Sequence, residues 1–103
     1  MNHYENVVIF QPELSEEKVD SSLKKIADLI INNKGEIISQ EKWGRKKLAY
    51  PIHRQTEGNF IIIEFKIEPH LISKLESQLR VDANIMRYMV VKKELKKKQT
   101  KKD

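Results

Sequence analysis

The chain contains no cysteine, and glycine and tryptophan are scarce. Its 103 residues include three glycines and one tryptophan. Without cysteine it can form neither a disulfide nor a thiolate zinc site, which fits a reducing compartment. No apolar run exceeds four residues, whereas a membrane-spanning helix needs about 20. The first residues also lack the basic start and apolar stretch of a signal peptide. We therefore expect a cytoplasmic protein with one small domain.

Residue patterns typical of catalysis or metal binding are also missing. His3, His53 and His70 have no second ligand at helical i, i+4 spacing. The glycines are isolated from one another, so the chain has no glycine-rich phosphate loop. Glu16 and Glu17 are adjacent and suit the positive end of a helix better than an acid–base pair. The sequence thus predicts a protein that is not an enzyme and has no metal or cofactor.

The positive charge of the chain is concentrated at its C-terminal end. Residues 92–103 hold seven lysines and two carboxylates, which accounts for the whole formal net charge of +5. Residues 1–91 are therefore neutral overall. We expect a single domain over 1–93 and a basic tail over 94–103, since the tail has no apolar face to bury. Such a tail either solubilises the chain or lies along a phosphate backbone.

Hydrophobic periodicity predicts six elements in the order β-α-β-β-α-β. Strands are expected where β-branched and aromatic residues cluster or alternate, and helices where apolar residues recur at three- and four-residue spacing. Ser15 is placed to cap the first helix, and Gly35 to end it. The predicted strands cover 4–11, 36–50, 60–67 and 85–92, and the helices begin near 16 and 69.

Short connections and right-handed crossovers make an α+β ferredoxin-like sandwich the simplest arrangement of these elements. Its four-stranded antiparallel sheet would carry both helices on one face. Gly44 predicts a bulge in the second strand, and residues 56–59 are typical of a turn. Alternation directs Phe60 and Ile62 to the open face. That face then either carries two tolerable surface hydrophobes or is covered by something else.

A stretch with charge of one sign runs from residue 42 to 56, where no carboxylate occurs. Arg45, Lys46 and Lys47 follow a glycine, and the alternating Leu48, Tyr50 and Ile52 are expected to anchor the strand. Strand geometry puts Arg45 and Lys47 on one side and Lys46 on the other. Cations on a structured strand can neutralise phosphates and release counterions, the main source of nucleic-acid affinity. The same cations could instead keep an edge strand from pairing with another sheet, and composition alone leaves the two interpretations balanced.

The segment Gly44–Ile52 resembles the signature of the family of the sixth protein of the bacterial small ribosomal subunit. His3-Tyr4-Glu5 and Met86–Val91 resemble the same family, and the spacing agrees over about residues 3–93. Lys47 and His53 depart from the residues more usual in the family but keep polarity and size. The resemblance implies the ferredoxin-like fold and a structural role in the small subunit during translation.

The resemblance also implies two partners. One is the central domain of the small-subunit ribosomal RNA, and the other is the eighteenth small-subunit protein, with which the family forms a heterodimer. The residues predicted to contact RNA are Arg45, Lys46, Lys47, His53, Arg54, Arg80, Arg87, Lys92, Lys93, Lys96 and Lys97. The residues predicted for the protein-partner surface are Tyr4, Phe60 and Ile62. Among these, Arg80 is also explained by the helix dipole alone, because it lies in the last turn of a helix.

Two other functions fit the same order of elements. A single-stranded RNA module of the RNA-recognition-motif type stacks bases on aromatic residues of its two central strands. Residues 58–65 are slightly similar to its third strand, but the basic residue before the glycine is absent and Ile62 stands where an aromatic is expected. An enzyme-like or metabolite-sensing domain would fit the fold alone, although fold does not determine function.

Overall fold

Four strands and two helices follow the predicted order in the computed structural model, which describes residues 1–52 and 54–93. The strands are β1 (Asn2–Phe10), β2 (Glu36–Ile52), β3 (Gln55–Ile67) and β4 (Ile85–Lys93). Helix α1 (Glu16–Asn32) joins β1 to β2. Helix α2 (Ile72–Val81) joins β3 to β4 and is preceded by a short 3-10 helix, Pro69–Leu71. Within the described residues, no helix has the length and apolar character needed to cross a membrane.

The strands form one sheet in the order β2-β3-β1-β4, and every neighbouring pair is antiparallel. The hydrophobic core lies between this sheet and the two helices, which confirms the predicted α+β ferredoxin-like sandwich. Its buried members come from β1, β3 and both helices: Tyr4, Val8, Phe10, Val19, Leu23, Ile26, Ile30, Ile61, Ile63, Phe65, Ile67, Leu75 and Leu79.

Tyr4 belongs to this core, so its prediction as a partner-surface residue is wrong. The residue is 6% exposed, and its ring stacks on that of Phe65, the residue directly opposite on β3, with 5.7 Å between centroids. The physical reason is strand parity. Tyr4 shares the helix-facing side of β1 with Val8 and Phe10, which are fully buried.

The two ends of α1 illustrate one correct prediction and one that needs correction. Ser15 caps the helix as expected, because its Oγ accepts from the Lys18 backbone N–H at 3.3 Å. At the other end the left-handed residue is Lys34, with φ +67°, and not Gly35. Gly35 is needed for a different reason, since a Cβ there would lie 2.6 Å from the backbone oxygen of Lys66.

Lys34 is therefore a position where glycine should stabilise the fold. Left-handed backbone is unfavourable for a residue with a Cβ and is the conformation that glycine usually supplies after a helix. We expect Lys34→Gly to raise the free energy of unfolding by about 0.5–1 kcal/mol in urea titrations. Lys34→Ala keeps the Cβ and should stay close to the original stability. A lower stability for Lys34→Gly would contradict the assigned backbone.

The long hairpin of β2 and β3 contains the predicted bulge but not the predicted turn. Pairing with β3 shifts between Lys42 and Gly44, where φ is +82°, so the bulge at this glycine is confirmed. Residues 56–59, expected to turn, are instead part of β3. Gly58 lies in the ladder opposite Lys46, and a Cβ there would overlap the side chain of Ile9. The glycine thus serves close packing within the sheet.

The sheet face opposite the helices carries Phe60 and Ile62, as alternation predicts. They stand opposite Ile9 and Val7 on β1, which point to the same side. Phe60 is half-buried, whereas Ile62 is only 8% exposed. The expectation of an exposed Ile62 is therefore wrong. This residue lies on an inner strand, between Val7 of β1 and Glu41 of β2.

Candidate nucleic-acid interface

The second half of β2, Arg45–Ile52, forms a projecting segment that we call the basic arm. Direct pairing with β3 continues to Lys47, opposite Glu57, and resumes only at Ile52, opposite Gln55. Residues directly opposite in an antiparallel pair point to the same side. Lys46 therefore shares a side with Gly58, and Lys47 shares the other side with Glu57.

The three successive cations of the basic arm have different surroundings. Arg45 Nη2 lies 3.2 Å from Glu57 Oε1 in an exposed ion pair, and such pairs contribute little. Lys46 Nζ lies 5.9 Å from the ring centroid of Trp43. Within residues 1–52 and 54–93, no carboxylate lies within 4 Å of the amino groups of Lys46 or Lys47. Both ammonium groups can therefore accept a phosphate without breaking an ion pair.

Arg87 of β4 joins the basic arm from the other edge of the sheet. Its Nη1 donates to the Tyr50 hydroxyl at 2.6 Å, and its guanidinium lies 5.8 Å from the centroid of the same ring. Among the described residues, no carboxylate pairs with Arg87. The exposed part of the guanidinium thus adds a fourth cation to those of the basic arm.

An apolar groove of about 290 Å³ lies beside these cations. It runs between the basic arm and strands β1 and β4, and Arg87 and Lys47 also line it. Met89 is 55% exposed there, although its side chain is apolar. A charged surface and an uncovered apolar surface are therefore adjacent on the face without helices. The apolar lining consists of Val7, Ile9, Leu48, Ala49, Tyr50, Ile52, Phe60, Tyr88 and Met89.

Several predicted RNA contacts lie elsewhere. Arg80 is exposed on α2, which covers the opposite face of the sheet. Lys93 is six residues along β4 from Arg87, about 20 Å at the rise of a strand, and Lys92 is its neighbour. Arg54 is exposed in the connection between β2 and β3, at the end of the basic arm. The structure therefore groups the basic arm with Arg54 and Arg87. The predicted contacts at His53, Lys96 and Lys97 lie outside the described residues.

Sequence reasoning missed two exposed aromatic residues on this surface. Trp43 is 53% exposed and Tyr50 57% exposed, whereas Tyr50 was expected to anchor its strand. Leu48 and Ile52 are half-buried. Tyr50 lies in the part of β2 that does not pair directly with β3, so neither the sheet nor the helices bury its ring. Aromatic residues interleaved with cations in a carboxylate-free segment are a signal for this arrangement.

A second charged cluster surrounds Glu64 near the far end of the open face. His3 Nε2 lies 2.5 Å from Glu64 Oε2, and Lys93 Nζ lies 3.5 Å from the same oxygen. Burial alone would raise the pKa of Glu64, but the hydrogen bond with His3 and the charge of Lys93 outweigh it and lower this pKa. Lys93 is thus engaged by a carboxylate of its own chain, unlike the lysines of the basic arm.

The lowered pKa of Glu64 predicts how stability depends on pH. The unfolded chain binds this proton more readily than the folded chain, so the stabilisation is complete above the ordinary carboxyl pKa. It is lost as the pH falls through the lower folded pKa. We expect Glu64→Gln to be less stable than the original chain near neutral pH. In urea titrations this difference should close as the pH falls below the lowered pKa of Glu64 in the folded chain. Glu36→Gln is the control, because Glu36 is exposed at the start of β2 and makes no ion pair among the described residues, and it should change the stability little.

Comparison with known proteins connects this chain to a family. A family model for ribosomal protein S6 matches residues 3–92. The small ribosomal subunit protein bS6 of Azobacteroides pseudotrichonymphae is 45% identical over 86% of this chain and 80% of its own length. The bS6 protein of Phocaeicola vulgatus is 41% identical over 89% and 81%. A crystal structure of 30S ribosomal protein S6 from Thermotoga maritima matches with a TM-score of 0.84 at 28% identity, over 89% of this chain and 87% of that one.

The matched range includes both helices, the basic arm, the apolar groove and Arg87. The relatives are named as proteins of the small ribosomal subunit. This confirms the prediction that the chain is a structural component of the cytoplasmic ribosome, and it argues against the enzyme-like alternative. The alternative of an RNA-recognition-motif module is also disfavoured, since Phe60 is the only phenylalanine, tyrosine or tryptophan that β1 and β3 direct to the open face. The chain belongs to the ribosomal protein S6 family, and with it to the translation machinery of the small ribosomal subunit.

Proposed function

We propose that the chain binds the central domain of the small-subunit ribosomal RNA together with the eighteenth small-subunit protein. The resemblance of its motifs to the family implies both partners. The structural observation that supports the proposal is the adjacency of the basic arm and the apolar groove on the open sheet face. One surface suits phosphates, and the other suits an apolar protein surface.

The RNA part of the proposal depends on positioning by charge. The five cations Arg45, Lys46, Lys47, Arg54 and Arg87 are exposed. Arg87 is connected to the basic arm by its hydrogen bond to Tyr50. Lysine and arginine contacts to phosphates fix the orientation of a protein on RNA without reading its sequence. Recognition then comes from the shape of the folded RNA that can offer phosphates at these positions. No proton transfer or covalent step is required.

The protein part of the proposal depends on the uncovered apolar groove. Phe60 is half-buried, and Met89 and Val91 are exposed on the same face. Contiguous exposed apolar surface is typical of a protein interaction site. Because residues 1–91 are neutral overall, the chain alone has little long-range attraction for RNA apart from the proposed tail at 94–103. A partner with its own basic surface would supply further phosphate contacts.

Titration of central-domain RNA with and without the eighteenth protein tests the proposal. We expect at least about 10-fold tighter binding in its presence, because the two proteins share the cost of ordering the RNA. Met89→Gln, which puts an uncharged polar side chain in the apolar groove, should reduce this gain and leave the affinity of the chain alone nearly unchanged. Val81→Gln is the matched control, since Val81 is 80% exposed on α2, on the other side of the sheet. Equal affinities with and without the partner would reject the proposal.

A further inference from the structure

Trp43 is a large aromatic side chain that the fold leaves outside its core. It lies at the bulge, where the pairing of β2 with β3 passes from Lys42 to Gly44, so it has no direct partner in the ladder. Strand β2 is at the edge of the sheet, and 53% of Trp43 is exposed. Gly44 has the left-handed φ of +82° that permits this local geometry. The backbone thus presents the indole at the surface.

Two contacts hold the indole in a defined orientation. Its Nε1–H donates to Glu41 Oε1 at 3.0 Å, and Lys46 Nζ lies 5.9 Å from the ring centroid. The hydrogen bond satisfies the only polar atom of the side chain, which leaves the apolar faces of the ring for a ligand. A ring that is already oriented loses little conformational freedom when a planar ligand stacks on it.

The cations near Trp43 differ in whether a carboxylate already pairs with them. Lys42 Nζ binds Asp20 Oδ1 at 2.8 Å, and Arg45 is paired with Glu57. Within the described part of the chain, Lys46 has no carboxylate partner. An aromatic face and an unpaired ammonium group on the same strand match the two parts of a nucleotide, its base and its phosphate.

We propose that Trp43 and Lys46 form a stacking site for one unpaired nucleobase of the bound RNA. The base takes the place of the Lys46 amino group on the indole ring, and that amino group contacts the adjacent phosphate. Stacking of a base on tryptophan is stronger than an exposed cation–π contact, so the exchange is favourable. This inference rests on the proposed function, because it assigns one nucleotide to the same RNA-binding surface.

The ligand is an unpaired base because the bases of a duplex are stacked on one another already. Loops and bulges of folded RNA offer bases that are free to stack on aromatic side chains. Every base has a π-face, and the indole, whose Nε1–H already donates to Glu41, offers its ring faces for stacking. The site therefore holds any base, with a preference only for those that stack most strongly.

The single tryptophan of the chain makes the site directly measurable. All indole fluorescence comes from Trp43, and a stacked base quenches it. The chain alone is titrated at low salt with a short oligo(A) RNA, with duplex RNA of equal charge and with inorganic polyphosphate. We expect strong quenching by oligo(A) and little by the other two probes. Binding of oligo(A), seen by anisotropy of a labelled strand, without quenching would overturn the inference. Equal quenching by polyphosphate would also overturn it.

Variants separate this inference from the proposed function. Trp43→Leu should weaken oligo(A) binding about 10-fold, and Trp43→Phe, which keeps an aromatic face, about 3-fold. Ile38→Ala is the matched control, because Ile38 is 41% exposed on the same edge strand, and it should change nothing. Thermal unfolding by circular dichroism confirms that each variant is folded. If Trp43→Leu binds oligo(A) and central-domain RNA as the original chain does, only the stacking site is rejected. If the original chain fails to bind central-domain RNA with its partner, the proposed function is rejected.

Discussion

Replacing Arg45, Lys46 and Lys47 together by alanine is expected to lower the affinity for central-domain RNA about 100-fold at about 0.15 M salt. Each phosphate contact contributes roughly 0.7–0.9 to the slope of log affinity against log salt, so three contacts account for about two powers of ten at this salt concentration. The slope itself should fall by about 2. An unchanged slope in a folded triple variant would contradict the role of these residues.

The three cations are expected to contribute unequally to the RNA affinity. Arg45 must give up its ion pair with Glu57 before it binds a phosphate, whereas Lys46 and Lys47 have no such pair among the described residues. Lys46→Ala and Lys47→Ala should therefore each weaken binding more than Arg45→Ala. The control with the same change in net charge replaces exposed lysines of the two helices by alanine, on the far side of the sheet: Lys18, Lys25 and Lys74. It should have a much smaller effect, because screening confines charge effects to short distances.

Truncation of Tyr4 to alanine should lower the free energy of unfolding by about 3–5 kcal/mol, the usual cost of removing a buried aromatic side chain. The ring is buried and stacked on Phe65, so its loss leaves a cavity between the sheet and the helices. Urea titration of the isolated chain measures the change without any partner present.

Tyr4→Phe distinguishes the core from a partner surface. It keeps the ring and removes a hydroxyl that accepts only a 3.3 Å hydrogen bond from the side chain of Asn2, so it should cost about 1 kcal/mol or less. A stable Tyr4→Ala variant with weakened partner binding would instead place the residue on the interface.

Much of the fold could be predicted from local sequence patterns. Strand alternation correctly directed Phe60 and Ile62 away from the helices, and the same parity on β1 could have placed Tyr4 in the core beside Val8 and Phe10. The glycines were harder to interpret, because a glycine can mark a turn, a bulge or a close approach. Gly44 marks a bulge, whereas Gly58 makes room for Ile9, a residue that is distant in sequence.

Only part of the candidate site could be predicted from the sequence, because contacts between side chains depend on residues that are distant in sequence. The carboxylate-free cations could be found in the sequence, but their ion pairs could not, since Glu57 reaches Arg45 only through the register of the hairpin. The contact between Arg87 and Tyr50 joins opposite edges of the sheet. No local pattern specifies such a contact, because it depends on how far β2 extends past its ladder.

The place of β1 between β3 and β4 has a consequence for synthesis of the chain. The hairpin of β2 and β3 is local and can form early, but residues 2–10 pair with residues 85–93, so this contact closes a loop of nearly the whole domain. Long loops are slow to close, and incomplete sheets expose apolar strand edges. A nascent chain therefore cannot complete its sheet until residue 93 has left the exit tunnel. A fragment that stops before β4 should remain unfolded and be cleaved rapidly by proteases.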